Sequence, residues 1–296
     1  MSVFPLRPRL DVRGLALLLF AVVGWGSNWA PLKLLLQEVP PFTARAYAGL
    51  AAALFLAIMV RASGVSLRVP PGLWPRITLL ALLNITAWMG LVSLALQWLD
   101  ATEGVVITYT MPVWSALLAW PVLGERPTPM RLLAVACGLG GVVLIMSAKG
   151  INIGMEKLPG VLLCLSASIC FALGTVLTKR RPLAMAPAAG VVWQVALGML
   201  PLLFGALLFE TPHMAEVSTQ GWLIIGYMAT LPLCLSYLAW FAALRRLPAH
   251  ICTQGSLISP LMGLISANLM LGEPLGLRQL VAFGLILVGM VLAVKG

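Results

Sequence analysis

The sequence predicts an all-α integral membrane protein: ten transmembrane helices in two inverted five-helix repeats, with both termini cytoplasmic. Three observations predict it: a composition short of polar surface, ten long apolar runs, and a second half that repeats the first. Of 296 residues, 61% are hydrophobic and 9% charged, with a mean hydropathy of +1.01. Soluble domains carry about a quarter of their residues as charges, so this chain requires lipid as solvent.

A helical span needs roughly 20 mostly apolar residues. Runs at 14–36, 40–61, 73–98, 102–123, 128–147, 159–178, 187–209, 221–244, 249–271 and 276–294 satisfy that length. Hydrocarbon offers no partners for backbone N–H and C=O, so spans must be helices or closed strands. Barrel strands alternate over about ten residues, unlike these continuous runs. Arg7, Arg9 and Arg13 precede the first run as in a leader. That run exceeds an ordinary leader core and no small-x-small site closes it, so it reads as a span. Cys137, Cys164, Cys170, Cys234 and Cys252 lie in or beside spans. Their odd number and spacing fit neither a disulfide framework nor a metal site, and they read as small apolar core residues.

Net charge is +10. If the N-terminus is cytoplasmic, 14 of the 19 Lys and Arg residues fall on the inner side, leaving Lys33, Arg45, Lys149, Lys157 and Arg278 at outer ends. Of the acidic residues, Asp11 and Glu125 fall inside. This is the positive-inside pattern, and anionic inner-leaflet lipid reinforces it. No basic stripe interleaved with aromatics points to a nucleic-acid partner. The partners expected are the lipid bilayer and a small-molecule substrate.

Sliding the chain on itself by 148 positions aligns Pro112 with Pro260 and Leu123-Gly124-Glu125 with Leu271-Gly272-Glu273. Leu132, Ala134, Leu139, Gly141, Val143 and Leu144 then meet Leu280, Ala282, Leu287, Gly289, Val291 and Leu292. Near the start of each half the offset drifts to 146, aligning Lys33 with Lys179 and Pro41 with Pro187. The repeats run over 14–147 and 159–294. Five spans per half is an odd number, so the halves sit in opposite orientations. Inverted repeats are a recurrent transporter plan, with the site near the midplane between them.

The proline of the fourth and ninth spans, the Leu-Gly-Glu turn that follows it and the glycine-rich last span resemble the EamA domain. That domain occurs twice in members of the drug/metabolite transporter superfamily, and the resemblance covers essentially the whole chain. It implies ten helices, cytoplasmic termini and export of small metabolites across a bacterial inner membrane. Within the superfamily the chain looks most like bacterial exporters of amino acids, aromatic ones included. The small multidrug branch would bring a glutamate in the first span, and none is present.

Three kinds of residue are candidates for a substrate path. Pro112 and Pro260 each free the carbonyl four residues back, on Thr108 and Ser256. Paired interruptions point to a transporter site, or simply to kinked helices. Trp25 and Trp29 flank Asn28 on the first span, and Asn84 and Trp88 are four apart on the third, a same-face spacing. Tyr109 lies near Pro112, and Tyr237 and Trp240 lie mid-span in the eighth. These rings suit a substrate with an apolar side chain and a polar end, or else ordinary core packing. The uncharged polar residues Thr108, Thr110, Gln254, Ser256 and Ser259 lie near the prolines, and Thr108, Gln254 and Ser256 among them are taken as candidates.

No carboxylate falls clearly mid-span. Lys33, Arg45 and Lys179 are expected to snorkel from helix ends, and Glu125 and Glu273 to favour the N-terminus of the helix that follows each. A neutral or zwitterionic substrate fits that pattern better than a cation. Phosphorylated substrates call for a basic cluster, which the spans lack. An exporter of another metabolite or drug on the same frame is the alternative. An intramembrane enzyme needs a nucleophile–base pair or metal ligands, whereas His213 and His250 fall on opposite sides, so neither catalysis nor a cofactor is expected. Gly138, Gly140, Gly141, Gly284 and Gly289 are expected to permit close helix approach, within one chain or in a dimer. Oligomeric state is left open, with a monomer favoured.

Overall fold

In a computed structural model of the chain, the described residues are 11–125, 128–146, 156–247, 251–252, 255–256 and 258–295. Gln254, Lys149 and His250 lie outside them. The apolar runs form helices: α1 (Val12–Leu35), α2 (Pro41–Ala62), α3 (Trp74–Ala95), α4 (Ala101–Leu123), α5 (Pro129–Met146), α6 (Leu158–Arg180), α7 (Pro187–Phe209), α8 (Thr219–Leu244), α9 (Ile258–Leu271) and α10 (Leu277–Lys295). No strand occurs among the described residues. Seven of these helices are long and apolar enough to cross a membrane, and α5, α9 and α10 contain shorter apolar stretches. Large apolar side chains such as Leu207, Phe209, Leu223, Leu269 and Leu277 are exposed on the surface, where lipid accepts them. The chain is a helical, multi-pass membrane protein.

Four of the long helices are irregular in mid-course. α1 breaks at Ser27–Asn28 and α4 at Tyr109–Thr110. α3 and α8 each widen into a π-helical turn, over Leu82–Ala87 and Leu231–Leu235. In α8 the cause is Pro232, which has no N–H to close an ordinary turn. In α3 the widened turn leans on α7, where Thr86 Oγ1 donates to Gly198 O at 2.6 Å and Asn84 Nδ2 donates to Gln194 Oε1 at 3.0 Å.

The packing alternates between the halves. α1 lies against α8 and α9, while α6 lies against α3 and α4; α2 pairs with α7, and α5 with α10. Small residues let the backbones meet. A Cβ on Gly26 would stand 2.3 Å from Ser259 O of α9, and one on Gly198 would stand 2.5 Å from Ile85 Cβ of α3. Of the five glycines expected to permit approach, Gly141 and Gly289 sit at the α5–α10 contact and Gly138 against Val113 of α4. A Cβ on Gly140 or Gly284 would meet nothing within 4 Å among the described residues, so neither brings two described helices together.

Charges gather at the helix ends. Gly124 and Gly272 take the left-handed conformation (φ +78° and +67°) that ends α4 and α9, as expected of the Leu-Gly-Glu turns. Glu273 acts differently from expectation. Its carboxylate reaches across to the N-terminus of α4, accepting from Ala101 N and Thr102 N at 2.7 Å each. It therefore serves another helix in the other half, and not α10. All of Ala101–Thr108 is buried, so those amides have no water to turn to, and the carboxylate satisfies both the donors and the helix dipole. Asp100 and Glu103 complete a capping box, and Lys157 holds Glu103 at 2.7 Å. Lys33 reaches the end of α3, where it donates to the carbonyls of Leu96 and Leu99.

At the opposite ends, Glu125 pairs with Lys179 at 2.9 Å and Arg131 at 3.2 Å. The hydrogen bond from Lys179, with Arg131 beside it, holds the Glu125 carboxyl below the usual carboxylate range. Asp11 pairs with Arg246 at 3.0 Å. These exposed pairs are individually weak. Glu273→Ala should therefore lower stability in detergent by about 1–2 kcal/mol, the scale of a lost helix cap. Glu125→Ala should cost less, and thermal unfolding of both variants checks the ordering.

Candidate functional site

The irregular stretches converge. Between the halves lies a cavity of about 430 Å³, within the usual range for small-molecule sites. α1 contributes Trp25, Asn28 and Trp29 from its break, and α3 contributes Asn84 and Trp88 from its π-turn and just beyond. α4 brings Tyr109 and Pro112, α8 brings Tyr237 and Trp240, and Ser256 enters from the turn before α9. Ten of the sequence candidates thus share one cavity. Thr108 and Pro260 are buried behind it and are not among the lining residues; Gln254 lies outside the described residues.

The rings are held by one another and by the backbone. Trp25 meets Tyr237 edge-on at 5.2 Å and Trp240 at 5.4 Å, and its Nε1 donates to Pro232 O at 2.9 Å. Trp88 and Phe171 stand 4.8 Å apart, and Trp29 and Tyr109 stand 6.3 Å apart. Such pairs add about 0.5–1.5 kcal/mol beyond the area they bury. The Tyr109 hydroxyl hydrogen-bonds Ser259 Oγ at 2.9 Å, tying α4 to α9. Asn28 Oδ1 and Asn84 Oδ1 are buried without a hydrogen-bond partner among the described residues.

Pro112 sits in the first turn of the segment Met111–Leu123, where its missing N–H is tolerated. The carbonyl it frees, Thr108 O, accepts from Ser168 Oγ of α6 at 2.7 Å. The break is thus satisfied from the other half.

Sequence reasoning missed several lining residues, most of them legible through the repeat. Ile85, Met89, Val92 and Met111 of the first half line the cavity, and so do Leu233, Tyr237, Trp240 and Ser259, each 148 positions on. Asn84 and Pro232 form a fifth such pair, and Phe171 matches Trp25 at the drifted offset of 146. Arg45 is the consequential omission. Far from snorkelling, it is 4% exposed and lines the cavity, with Nε donating to Ser93 Oγ at 2.6 Å. Its sequence signal was position: four residues past Pro41, it stands about 6 Å into the helix, and an intramembrane charge is a functional candidate by default.

Comparison with known proteins agrees with this architecture. The model of the EamA-like transporter family matches the chain twice, over residues 12–147 and 158–295. The chain belongs to the EamA-like transporter family. It is 29% identical to the uncharacterized transporter YvbV of Bacillus subtilis, over 92% of this chain and 88% of that one. It is also 29% identical to a probable amino-acid metabolite efflux pump of Salmonella typhimurium, over 95% and 94%. The uncharacterized inner membrane transporter YedA of Escherichia coli is 24% identical over 94% and 90%. A solved structure, titled only as the crystal structure of a protein, superposes with a TM-score of 0.68 at 20% identity, covering 95% and 96% of the two chains; it shares the fold. Family and relatives place this chain in the drug/metabolite transporter superfamily and point to transport and not catalysis.

Ser168 makes the site's dependence on α6 testable. Ser168→Ala strips Thr108 O of its partner in a buried setting, which costs about 1–3 kcal/mol. The variant should unfold at lower temperature than wild type, and a Ser168→Thr variant that keeps the hydroxyl should recover part of the loss.

Proposed function

We propose that this EamA-family transporter is a secondary carrier exporting amino acids, aromatic and other apolar ones first, across a bacterial inner membrane by alternating access. In this reading all ten apolar helices span the bilayer as two inverted halves, 14–147 and 159–294, with both termini in the cytoplasm. The observation that carries it is the cavity's construction: both halves line it, in part through residues at equivalent positions of the repeat, and aromatic rings from both halves stand in its walls. Two similar halves facing one site can exchange conformations, so the site opens to each side in turn.

Several observations support the finer points. The excess of Lys and Arg on one side favours cytoplasmic termini. The YedA relative is named an inner membrane transporter, and the Salmonella relative an amino-acid metabolite efflux pump. Rings that stack on an apolar side chain, with amides and a guanidinium for the polar end, suit an amino acid. A phosphorylated metabolite would call for a basic cluster, and Arg45 is the one basic residue among the described lining residues.

Proteoliposomes containing the purified protein should take up radiolabelled phenylalanine and leucine saturably, and lysine poorly. Trp88→Ala should weaken phenylalanine transport by about tenfold or more, since losing a central aromatic contact costs about 2 kcal/mol. A pH gradient that changes the rate would establish proton coupling. Uptake no greater than in empty liposomes for every amino acid contradicts the proposal.

A further inference from the structure

Among the described residues that line the cavity, Arg45 carries the one formal charge. Its guanidinium remains protonated at any physiological pH. The structure gives it one hydrogen bond, from Nε to the fully buried Ser93 Oγ at 2.6 Å. Its terminal nitrogens have no protein acceptor among the described residues, and none of the ion pairs involves it. Yet the residue as a whole is 4% exposed, and the access its guanidinium keeps is to the cavity it lines. A charge so largely withdrawn from water and left without a counter-ion carries a desolvation cost. Glu103 is neutralised by Lys157 and Glu273 is held by the amides of α4, while the part-buried cations Lys33 and Arg76 donate to backbone carbonyls. Arg45 stands apart as a charge that the protein prepares and leaves unanswered.

We propose that Arg45 binds the substrate's carboxylate, and that the cavity selects its cargo by that carboxylate and not by an amino group. The inference rests on reading the cavity as the transport site. With Nε committed to Ser93, the plane of the guanidinium is fixed and its two terminal nitrogens form a fork that matches two carboxylate oxygens. An arriving carboxylate replaces water on a charge that the protein itself does not neutralise, so binding relieves a cost that the empty site carries. The amino end of a substrate finds nothing comparable. No Asp or Glu is among the described lining residues, which leaves neutral acceptors such as Asn28 Oδ1. A single arginine also answers one negative charge better than the two of a phosphate monoester. The substrate class is therefore a monocarboxylate with an apolar or aromatic body. An amino acid qualifies, and so does the same acid without its amine.

Titration calorimetry on the purified full-length protein tests this with phenylalanine, 3-phenylpropionate, phenethylamine, phenyl phosphate and octanoate. The expected result is comparable binding of phenylalanine and 3-phenylpropionate, with phenethylamine weaker by about tenfold or more, the worth of a charge-assisted hydrogen bond. Arg45→Gln and Arg45→Lys should weaken the acids by about the same factor and leave phenethylamine unchanged. Should those variants fail to fold, Ser93→Ala, which frees the guanidinium, should still weaken the acids, and the wild-type ligand order decides by itself. The proposal is overturned if phenethylamine binds as tightly as the acids, if phenyl phosphate outcompetes them, if Arg45→Gln keeps its affinity for acids, or if none of the acids binds. Octanoate that binds through Arg45 while phenylalanine does not would uphold the carboxylate site and sink the amino-acid reading.

Discussion

In hydrocarbon a backbone group that loses its helical partner must find another within the protein, and this constraint organises the whole molecule. The chain interrupts α1 and α4, widens α3 and α8, and begins α9 beside a turn, all around one cavity. Neighbours answer several of the backbone groups left open. Ser168 takes the carbonyl freed by Pro112, the Trp25 indole takes the carbonyl of Pro232, and Glu273 takes the amides that open α4. These partners come from the opposite half of the chain. The halves are thus held together by the same contacts that let their helices be irregular enough to form a site.

That arrangement separates the stable parts from the adaptable ones. Continuous helices such as α2 and α7 pack along their length, and α5 and α10 pair through Gly141 and Gly289. Around the cavity, contacts are rings and single hydrogen bonds, which can be exchanged without exposing backbone to lipid. The ion pairs sit at the ends of the helices, Glu103–Lys157 at one and Glu125–Lys179 at the other, where opening and closing of a central site would be felt.

Much of this was legible in the sequence because spans are dictated by length and hydropathy alone. Most helices follow the apolar runs closely, although α9 is continuous only from Ile258 where its run begins at 249, and the aromatics named from spacing meet in one cavity. What spacing did not reveal was direction and depth. Thr108 sits one residue before a lining position yet is buried away from the cavity, since successive helical residues point about 100° apart. Counting from the span's edge puts Arg45 at a helix end, whereas Ser93 of α3 draws it inward. Sequence points Glu273 to the helix that follows it, because it shows neighbours along the chain and not the α4 terminus packed beside it. Phe171 and Met89 carried no motif of their own, and only the repeat offset marks them as partners of Trp25 and Tyr237.

On the proposed reading, cargo rests in the cavity between the halves. A structure determined with phenylalanine present tests it most directly. The account predicts ligand density among Trp25, Trp88, Tyr109 and Tyr237, with one end reaching toward Arg45. Density confined to the lipid-facing surface or the helix ends, with the cavity holding solvent alone, would contradict it.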